Sequence, residues 1–130
     1  MRLNIELRTT KAEELIDITE KVSHAVKNIK EGICVVHCFH TTAAITINES
    51  ADPAVRDDIL KALAIFNRDD YKHNEDNSHA HVKASCIGSS VTIPIHEEKL
   101  ALGAWQGIFF CEFNGPRQRR IVNVSILKAS

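Results

Sequence analysis

The sequence predicts an α+β fold in a single domain over residues 1–130, with two main helices on one face of a mainly antiparallel sheet. Three observations lead to this prediction. The chain of 130 residues has the length of one ordinary domain. Segments with a two-residue apolar period outnumber those with helical spacing. The segments follow the order strand, helix, strands, helix and four strands, which is typical of an α+β fold.

The first 48 residues are expected to form four strands and one helix. Leu3, Ile5 and Leu7 alternate with polar residues, which is the period of a half-buried strand. Thr19 is a predicted N-cap, and Gly32 is expected to end the helix that follows it. The strands are expected over residues 3–7, 14–18, 33–39 and 41–48, of which the last two can equally form one long strand.

The rest of the chain is expected to form a second helix, a long loop and four strands. Asp52 followed by Pro53 is typical of a helix N-terminus, and apolar spacing continues the helix to Asn67. The polar segment 67–78 predicts the longest loop, and long loops in small domains often carry function. The strands are expected over residues 79–87, 91–95, 106–113 and 120–127.

Composition and charge exclude several classes of function. Sixteen Lys and Arg residues balance 17 Asp and Glu residues, so the chain lacks the basic field of a nucleic-acid-binding protein. No apolar run approaches the roughly 20 residues that span a membrane, and the first residues lack a signal-peptide core. The four cysteines are therefore expected to be reduced and buried, and the protein to be cytoplasmic.

A homo-oligomer is expected because late strands carry apolar side chains on both faces. Residues 108–111, for example, are Ile, Phe, Phe and Cys. Two helices can hardly cover both faces of a sheet in a chain of this size. A second copy of the chain would cover the remaining face.

His79 and His81 are the first candidates for chemistry. On a strand, side chains two residues apart lie on the same face, which would continue to Ser85. Two imidazoles can then bind one ion, and His40 at the end of another strand would complete a set with an open position. The predicted cofactor is a divalent metal, with zinc favoured. The alternative is a structural role for the three histidines, at a strand edge or in the core.

Glu112 lies within an apolar strand, between Cys111 and Phe113. A buried carboxylate is costly, so it is expected to be paired, to act as a ligand, or to have a raised pKa suited to a general base. Arg117, after a turn, is a candidate for binding a phosphate or carboxylate group. The alternative is an internal ion pair between Glu112 and an arginine.

Three further candidates come from the early strand and from the only tryptophan. Glu49, close in sequence to His40, is a second candidate for proton transfer, with helix capping as its alternative role. Trp105 and Gln106 offer a ring and an amide to a planar ligand, although this tryptophan can equally anchor the core.

Blocks spread over nearly the whole chain resemble the YjbQ family. They are HTTAAITINE at 40–49, DP at 52–53, HAHVKAS at 79–85, LGAWQGI at 102–108 and EFNGPR at 112–117. The resemblance implies one α+β domain, a homotrimer with sites near subunit interfaces, and a pocket that contains His40 and His81. The family also carries the name secondary thiamine-phosphate synthase. That activity joins a pyrimidine diphosphate to a thiazole phosphate and releases pyrophosphate.

Together these features predict a metal-dependent enzyme that acts on a small phosphorylated metabolite. In this hypothesis the three histidines bind the metal, and Glu112 or Glu49 transfers protons. Ser85 and Arg117 bind the phosphate group. The alternative function is a non-catalytic homotrimer that binds a metal, an anion or a metabolite.

Overall fold

The computed structural model describes residues 1–129, and two sheets and three helices make up its architecture. The strands are β1 (Arg2–Leu7), β2 (Glu14–Asp17), β3 (Glu31–Cys38), β4 (Ala43–Glu49), β5 (Ser90–His96), β6 (Lys99–Leu100), β7 (Gln106–Glu112) and β8 (Arg120–Lys128). The helices are α1 (Thr19–Ala25), α2 (Pro53–Leu63) and α3 (Ser78–Ile87), and a 3₁₀ turn over Ala64–Phe66 follows α2. None of these helices is long and apolar enough to span a bilayer.

All strand pairs are antiparallel, and the strands divide into two sheets. The larger sheet has the order β1-β8-β3-β5-β6, and the smaller sheet has the order β2-β7-β4. The predicted α+β class is confirmed. The sequence predicted one sheet, and the structure has two because β7 pairs with β2 and β4 rather than with its neighbours in the chain.

The first hydrophobic core lies between the two sheets. Its members include Cys34, Val36, Val122 and Val124 from the larger sheet, and Ile45, Ile108 and Phe110 from the smaller one. Alternate residues of these strands point into this core, as the two-residue period requires.

The second hydrophobic core lies between the smaller sheet and the helices α2 and α3. Phe109 and Cys111 of β7 pack there against Ala80 and Ala84 of α3. Strand β7 is therefore apolar at both parities because both of its faces are covered within one chain. The apolar residues 108–111 therefore do not indicate an oligomer, contrary to the expectation from the sequence.

Residues 79–87, predicted as a strand, belong to the helix α3. Ala80, Lys83 and Ala84 are its buried residues, and their spacing of three and four residues is that of one helix face. Alanine is also the strongest helix former, which favours this conformation. Ala80 and Ala84, which also fit the alternation of a strand, thus belong to one buried helix face.

Two other local predictions have different outcomes. The helix expected to run from Thr19 to Gly32 ends at Ala25, and Gly32 lies in β3. The second helix begins as predicted, because the carboxylate of Asp52 accepts a hydrogen bond from the N–H of Ala54 at 2.9 Å.

The four cysteines are all free thiols, but only three of them are buried. Cys86 is exposed, contrary to the prediction, whereas Cys34, Cys38 and Cys111 are buried. Burial raises the pKa of Cys34 to about 11 and that of Cys111 to about 12. These two thiols are therefore protonated and unreactive at neutral pH.

Candidate functional site

An open cleft of about 540 Å³, called here the His40 cleft, lies between α3 and the segment that joins β3 to β4. Its lining residues are His40, Thr41, Ala43, His81, Ala84, Ser85, Gly88 and Ser89. The lining residues of α3 recur at helical spacing, so they share one face of that helix. The structure thus brings together His40, His81 and Ser85 from the sequence-predicted set.

His40 is held as a neutral imidazole by its neighbours. Its Nε2 accepts a hydrogen bond from the backbone N–H of Ile121 at 2.9 Å, so the ring proton lies on Nδ1. Burial lowers the pKa of His40, and the charges of Arg120 and Arg117 lower it further, against the opposite effect of Glu112. Nδ1 has no hydrogen-bond acceptor among the described residues. It is also absent from their buried unpaired atoms, so it is accessible. Its N–H is therefore available to a ligand.

Glu112 forms a buried ion pair with Arg120, which confirms the alternative considered for it. Glu112 is 0% exposed, and the guanidinium of Arg120 contacts both of its carboxylate oxygens, with an Nε–Oε1 distance of 2.9 Å. Burial raises the pKa of Glu112. Hydrogen bonds from Arg120, the Asn114 backbone N–H and the Thr9 hydroxyl outweigh burial and hold that pKa below its usual range. Glu112 is thus a paired carboxylate, and the raised pKa suited to a general base is absent.

The ion pair connects several segments at one end of the two sheets. The Thr9 hydroxyl donates to Glu112 Oε1 at 2.8 Å and accepts from the backbone N–H of Arg117 at 2.8 Å. Arg120 Nη2 donates to the Thr42 hydroxyl at 3.0 Å. Glu112 ends β7 in the smaller sheet and Arg120 begins β8 in the larger sheet. Through Thr42, these contacts therefore fix the β3–β4 segment on one side of the His40 cleft.

Arg117 lies close enough to His40 for its charge to lower the pKa of that imidazole. Its Nε donates to the carbonyl oxygen of Asn114 at 2.9 Å, and the residue is exposed. Arg117 thus acts on His40 through its charge, although it is not one of the residues that line the cleft.

His79 does not join His40 and His81. Residues two apart on a helix project about 200° apart, and His79 lines a separate cleft with Asp76. Its Nδ1 is buried without a hydrogen-bond partner among residues 1–129, 4.0 Å from Glu13 Oε2. Within the same residues, no group of three or more His, Cys, Asp or Glu side chains is arranged to hold a metal ion. The predicted three-histidine set therefore does not fit a metal in one subunit.

Glu49, Trp105 and Gln106 lie together, away from the His40 cleft. Glu49 and Gln106 are partners in the β4–β7 register, at the opposite end of β4 from the cleft residue Ala43. Six residues of strand separate these ends by roughly 20 Å. Trp105 is 66% exposed, and Gln106 Oε1 accepts from the backbone N–H of Gly103 at 2.8 Å. The structure does not bring these three residues to the histidines.

Sequence reasoning did not single out two residues beside the site. His73, in the loop between Phe66 and Ser78, places its ring against His81, with centroids 5.4 Å apart. Lys83 is 0% exposed, and its Nζ donates to Glu13 Oε2 at 2.5 Å, which ties α3 to the segment before β2. The only sequence signal for His73 was its position in the longest polar loop. Lys83 could be found only by assigning its segment to a helix.

Comparisons with known proteins give one consistent result. The family model described as UPF0047 protein YjbQ-like matches residues 3–129. A UPF0047 protein of Methanocaldococcus jannaschii is 48% identical over 123 residues, which cover 92% of this chain and 89% of that protein. The UPF0047 protein YugU of Bacillus subtilis is 42% identical over 124 residues, which cover 92% of this chain and 94% of that protein.

Solved structures show the same fold. A conserved protein of the YjbQ/UPF0047 family from Clostridium acetobutylicum is 52% identical with a TM-score of 0.93, covering 96% of this chain and 99% of that one. A protein of unknown function from Sulfolobus solfataricus, described as YbjQ-like, is 38% identical with a TM-score of 0.95, covering 99% and 97%.

We expect the substitution Arg120→Leu to lower the free energy of unfolding at pH 7 by about 3–5 kcal/mol, because it leaves a buried carboxylate without its partner. Urea unfolding followed by circular dichroism measures the change. The double variant Glu112→Leu/Arg120→Leu removes both charges and should recover much of the loss.

The matched control is Arg119→Leu, which removes an exposed ion pair with Glu6 and should cost about 1 kcal/mol or less. The pKa of Glu112 is lowered by folding from its ordinary value of 4.5. Its contribution to stability is therefore present above that pH and is lost as the pH falls through the folded-state pKa. Equal losses in the Arg119 and Arg120 variants would contradict this account.

Proposed function

The chain belongs to the UPF0047 YjbQ-like family, and on that basis we propose that it is an enzyme acting on a small phosphorylated metabolite bound in the His40 cleft. The supporting observation is the convergence of polar groups on one cleft: the neutral His40 N–H, the His81 imidazole and three hydroxyl groups. Small clefts with a few convergent polar groups are the usual form of metabolite sites.

The cleft lining suits the oxygens of a phosphate group. The N–H of His40 and the hydroxyls of Thr41 and Ser89 can each donate to an anionic oxygen. The Ser85 hydroxyl already donates to the carbonyl oxygen of His81 at 2.9 Å, so it offers lone pairs to a ligand N–H or O–H. The donors would bind a phosphate and the Ser85 oxygen would bind a polar ring, so together they would orient a ligand that carries both.

Positive charge beside the cleft also favours an anion. Arg117 is exposed, and among residues 1–129 only its Nε is engaged as a side-chain donor. Its terminal nitrogens can bind two phosphate oxygens in the fork geometry of guanidinium. Arg120 contributes less because Glu112 neutralises it.

For the reaction we propose the thiamine-phosphate synthase-like transfer that the family resemblance implies. The ring nitrogen of a thiazole phosphate forms a C–N bond to the pyrimidine methylene carbon, the C–O bond to pyrophosphate breaks, and pyrophosphate leaves with the electron pair. His40 and Arg117 would stabilise the charge that develops on the leaving group. His81 would donate a hydrogen bond to it.

A second candidate function is a non-catalytic protein that binds an anion or metabolite. One observation favours it: neither predicted carboxylate lines the cleft. Glu112 is buried in its ion pair, and Glu49 lies at the other end of β4. Turnover of a pyrimidine diphosphate with a thiazole phosphate supports the enzyme. Pyrophosphate binding without turnover supports the binding protein.

We also propose that the protein assembles as a homotrimer, as the family resemblance implies. The supporting surface is the outer face of the larger sheet, which is turned away from the smaller sheet. There Ile33 and Leu127 are partners across β3 and β8, and they are 43% and 69% exposed. Adjacent exposed apolar side chains often mark an interaction surface.

We expect His40→Ala and Arg117→Ala each to weaken pyrophosphate binding by about 10- to 100-fold, because each removes a hydrogen-bond donor to an anion. Isothermal titration calorimetry with pyrophosphate and the full chain measures the affinity. His24→Ala, which removes an exposed histidine of α1, is the control and should bind as the unchanged protein does. Wild-type affinity in both site variants would refute the placement of the ligand.

Light scattering should give three times the chain mass of 14.5 kDa for the unchanged protein. Leu127→Glu places a charge on the outer face and should shift the protein to smaller species. Ile65→Glu is the control, since Ile65 is 76% exposed and follows α2 on the other side of the molecule. A monomer in the unchanged protein would overturn the proposed assembly.

A further inference from the structure

The loop between Phe66 and Ser78 brings His73 against His81. His73 was not part of the predicted metal set. The rings of His73 and His81 have centroids 5.4 Å apart and planes at 84°. Both rings line a cleft of about 400 Å³ on one side of α3. We propose that His73 and His81 form a two-histidine site for a divalent transition metal such as zinc.

The ring separation agrees with shared coordination of one ion. Imidazole nitrogens bind zinc at roughly 2.0–2.1 Å in a tetrahedral arrangement, which places two ring centroids about 5–5.5 Å apart. The His73–His81 separation of 5.4 Å lies within this range. Because both rings line the open cleft, water or a ligand oxygen could supply the remaining ligands.

A carboxylate lies behind His73, as is common for metal-binding histidines. Glu75 Oε2 is 3.5 Å from His73 Nε2. Metal-binding histidines commonly turn their outer nitrogen to a carboxylate, which would leave Nδ1 of His73 to bind the ion.

The loop has internal contacts in the segment that leads to His73. The Tyr71 hydroxyl donates to the carbonyl oxygen of Phe66 at 2.6 Å, and Arg68 Nε donates to Asp70 at 2.8 Å. The guanidinium of Arg68 also lies 6.0 Å from the centre of the Tyr71 ring. These contacts order the loop up to Tyr71, two residues before His73.

Neither of the other two predicted ligands suits this position. His79 projects from another side of α3 toward Glu13. His40 carries its proton on Nδ1, because Ile121 occupies Nε2, and a protonated nitrogen cannot bind a metal. His40 thus remains a hydrogen-bond donor in the neighbouring cleft, and His81, which lines both clefts, connects the two.

The inference rests on the proposed function only in using His81 for both the metal and the phosphorylated ligand. The two can fail separately. Cobalt or zinc alone probes the metal site, and pyrophosphate with a chelator present probes the His40 cleft. Pyrophosphate binding in a protein that takes up no metal would overturn this inference and leave the proposed function standing.

The test is titration of the chelator-treated full chain with Co²⁺, followed by its visible absorption, with equilibrium dialysis of Zn²⁺ in parallel. We expect one ion per chain in the unchanged protein. His73→Phe keeps an aromatic ring against His81 but has no ligand nitrogen, and it should lose more than about tenfold in affinity. His81→Gln should show a similar loss.

The matched control is His79→Gln, which alters the same helix but should bind both ions with unchanged affinity. Binding by His73→Phe equal to that of the unchanged protein would overturn the proposal and leave an aromatic contact only. Loss in His79→Gln and His81→Gln without loss in His73→Phe would overturn it in favour of the sequence-predicted set. Because His73 lies in an exposed loop, its variant is expected to fold, and circular dichroism verifies this.

Discussion

The buried ion pair between Glu112 and Arg120 is the interaction on which the candidate site depends. Removing a carboxylate and a guanidinium from water costs several kcal/mol per ion, and only close hydrogen bonding offsets that cost. Here Thr9, Thr42 and the backbone of Asn114 complete the bonding of the two charges. The pair joins the end of β7 to the start of β8, so it ties the two sheets together where the cleft opens.

The chemistry of His40 follows from this arrangement. Ile121 is the residue after Arg120, and its N–H determines which nitrogen of His40 carries the proton. Burial lowers the pKa of the imidazole, and the charges of Arg120 and Arg117 lower it further against the opposite effect of Glu112. The pair lies outside the cleft lining, and it fixes the start of β8, whose Ile121 N–H selects the tautomer of His40. Glu112, a catalytic candidate in the sequence, therefore affects the cleft by fixing the backbone through its pair with Arg120.

Local signals in the sequence predicted much of the fold, and tertiary packing decided the rest. Asp52 and Pro53 mark a helix start by their own chemistry, so α2 begins where predicted. The segment 79–87 was wrongly predicted as a strand because Ala80 and Ala84 fit both the two-residue period of a strand and the spacing of a helix face. The packing of these alanines in the second core favours the helix. That single error placed His79 beside His81. The contact of His73 with His81 joins a loop to a helix, and no local pattern encodes it.

The tautomer and charge of His40 test the account most directly. Nitrogen-15 NMR of the full chain reports both, with the signals of His40 assigned by their loss in His40→Gln. The account predicts one neutral form with the proton on Nδ1, which persists to lower pH than in an ordinary histidine. A proton on Nε2, or an imidazolium at neutral pH, would contradict the role given to the ion pair and to the cleft.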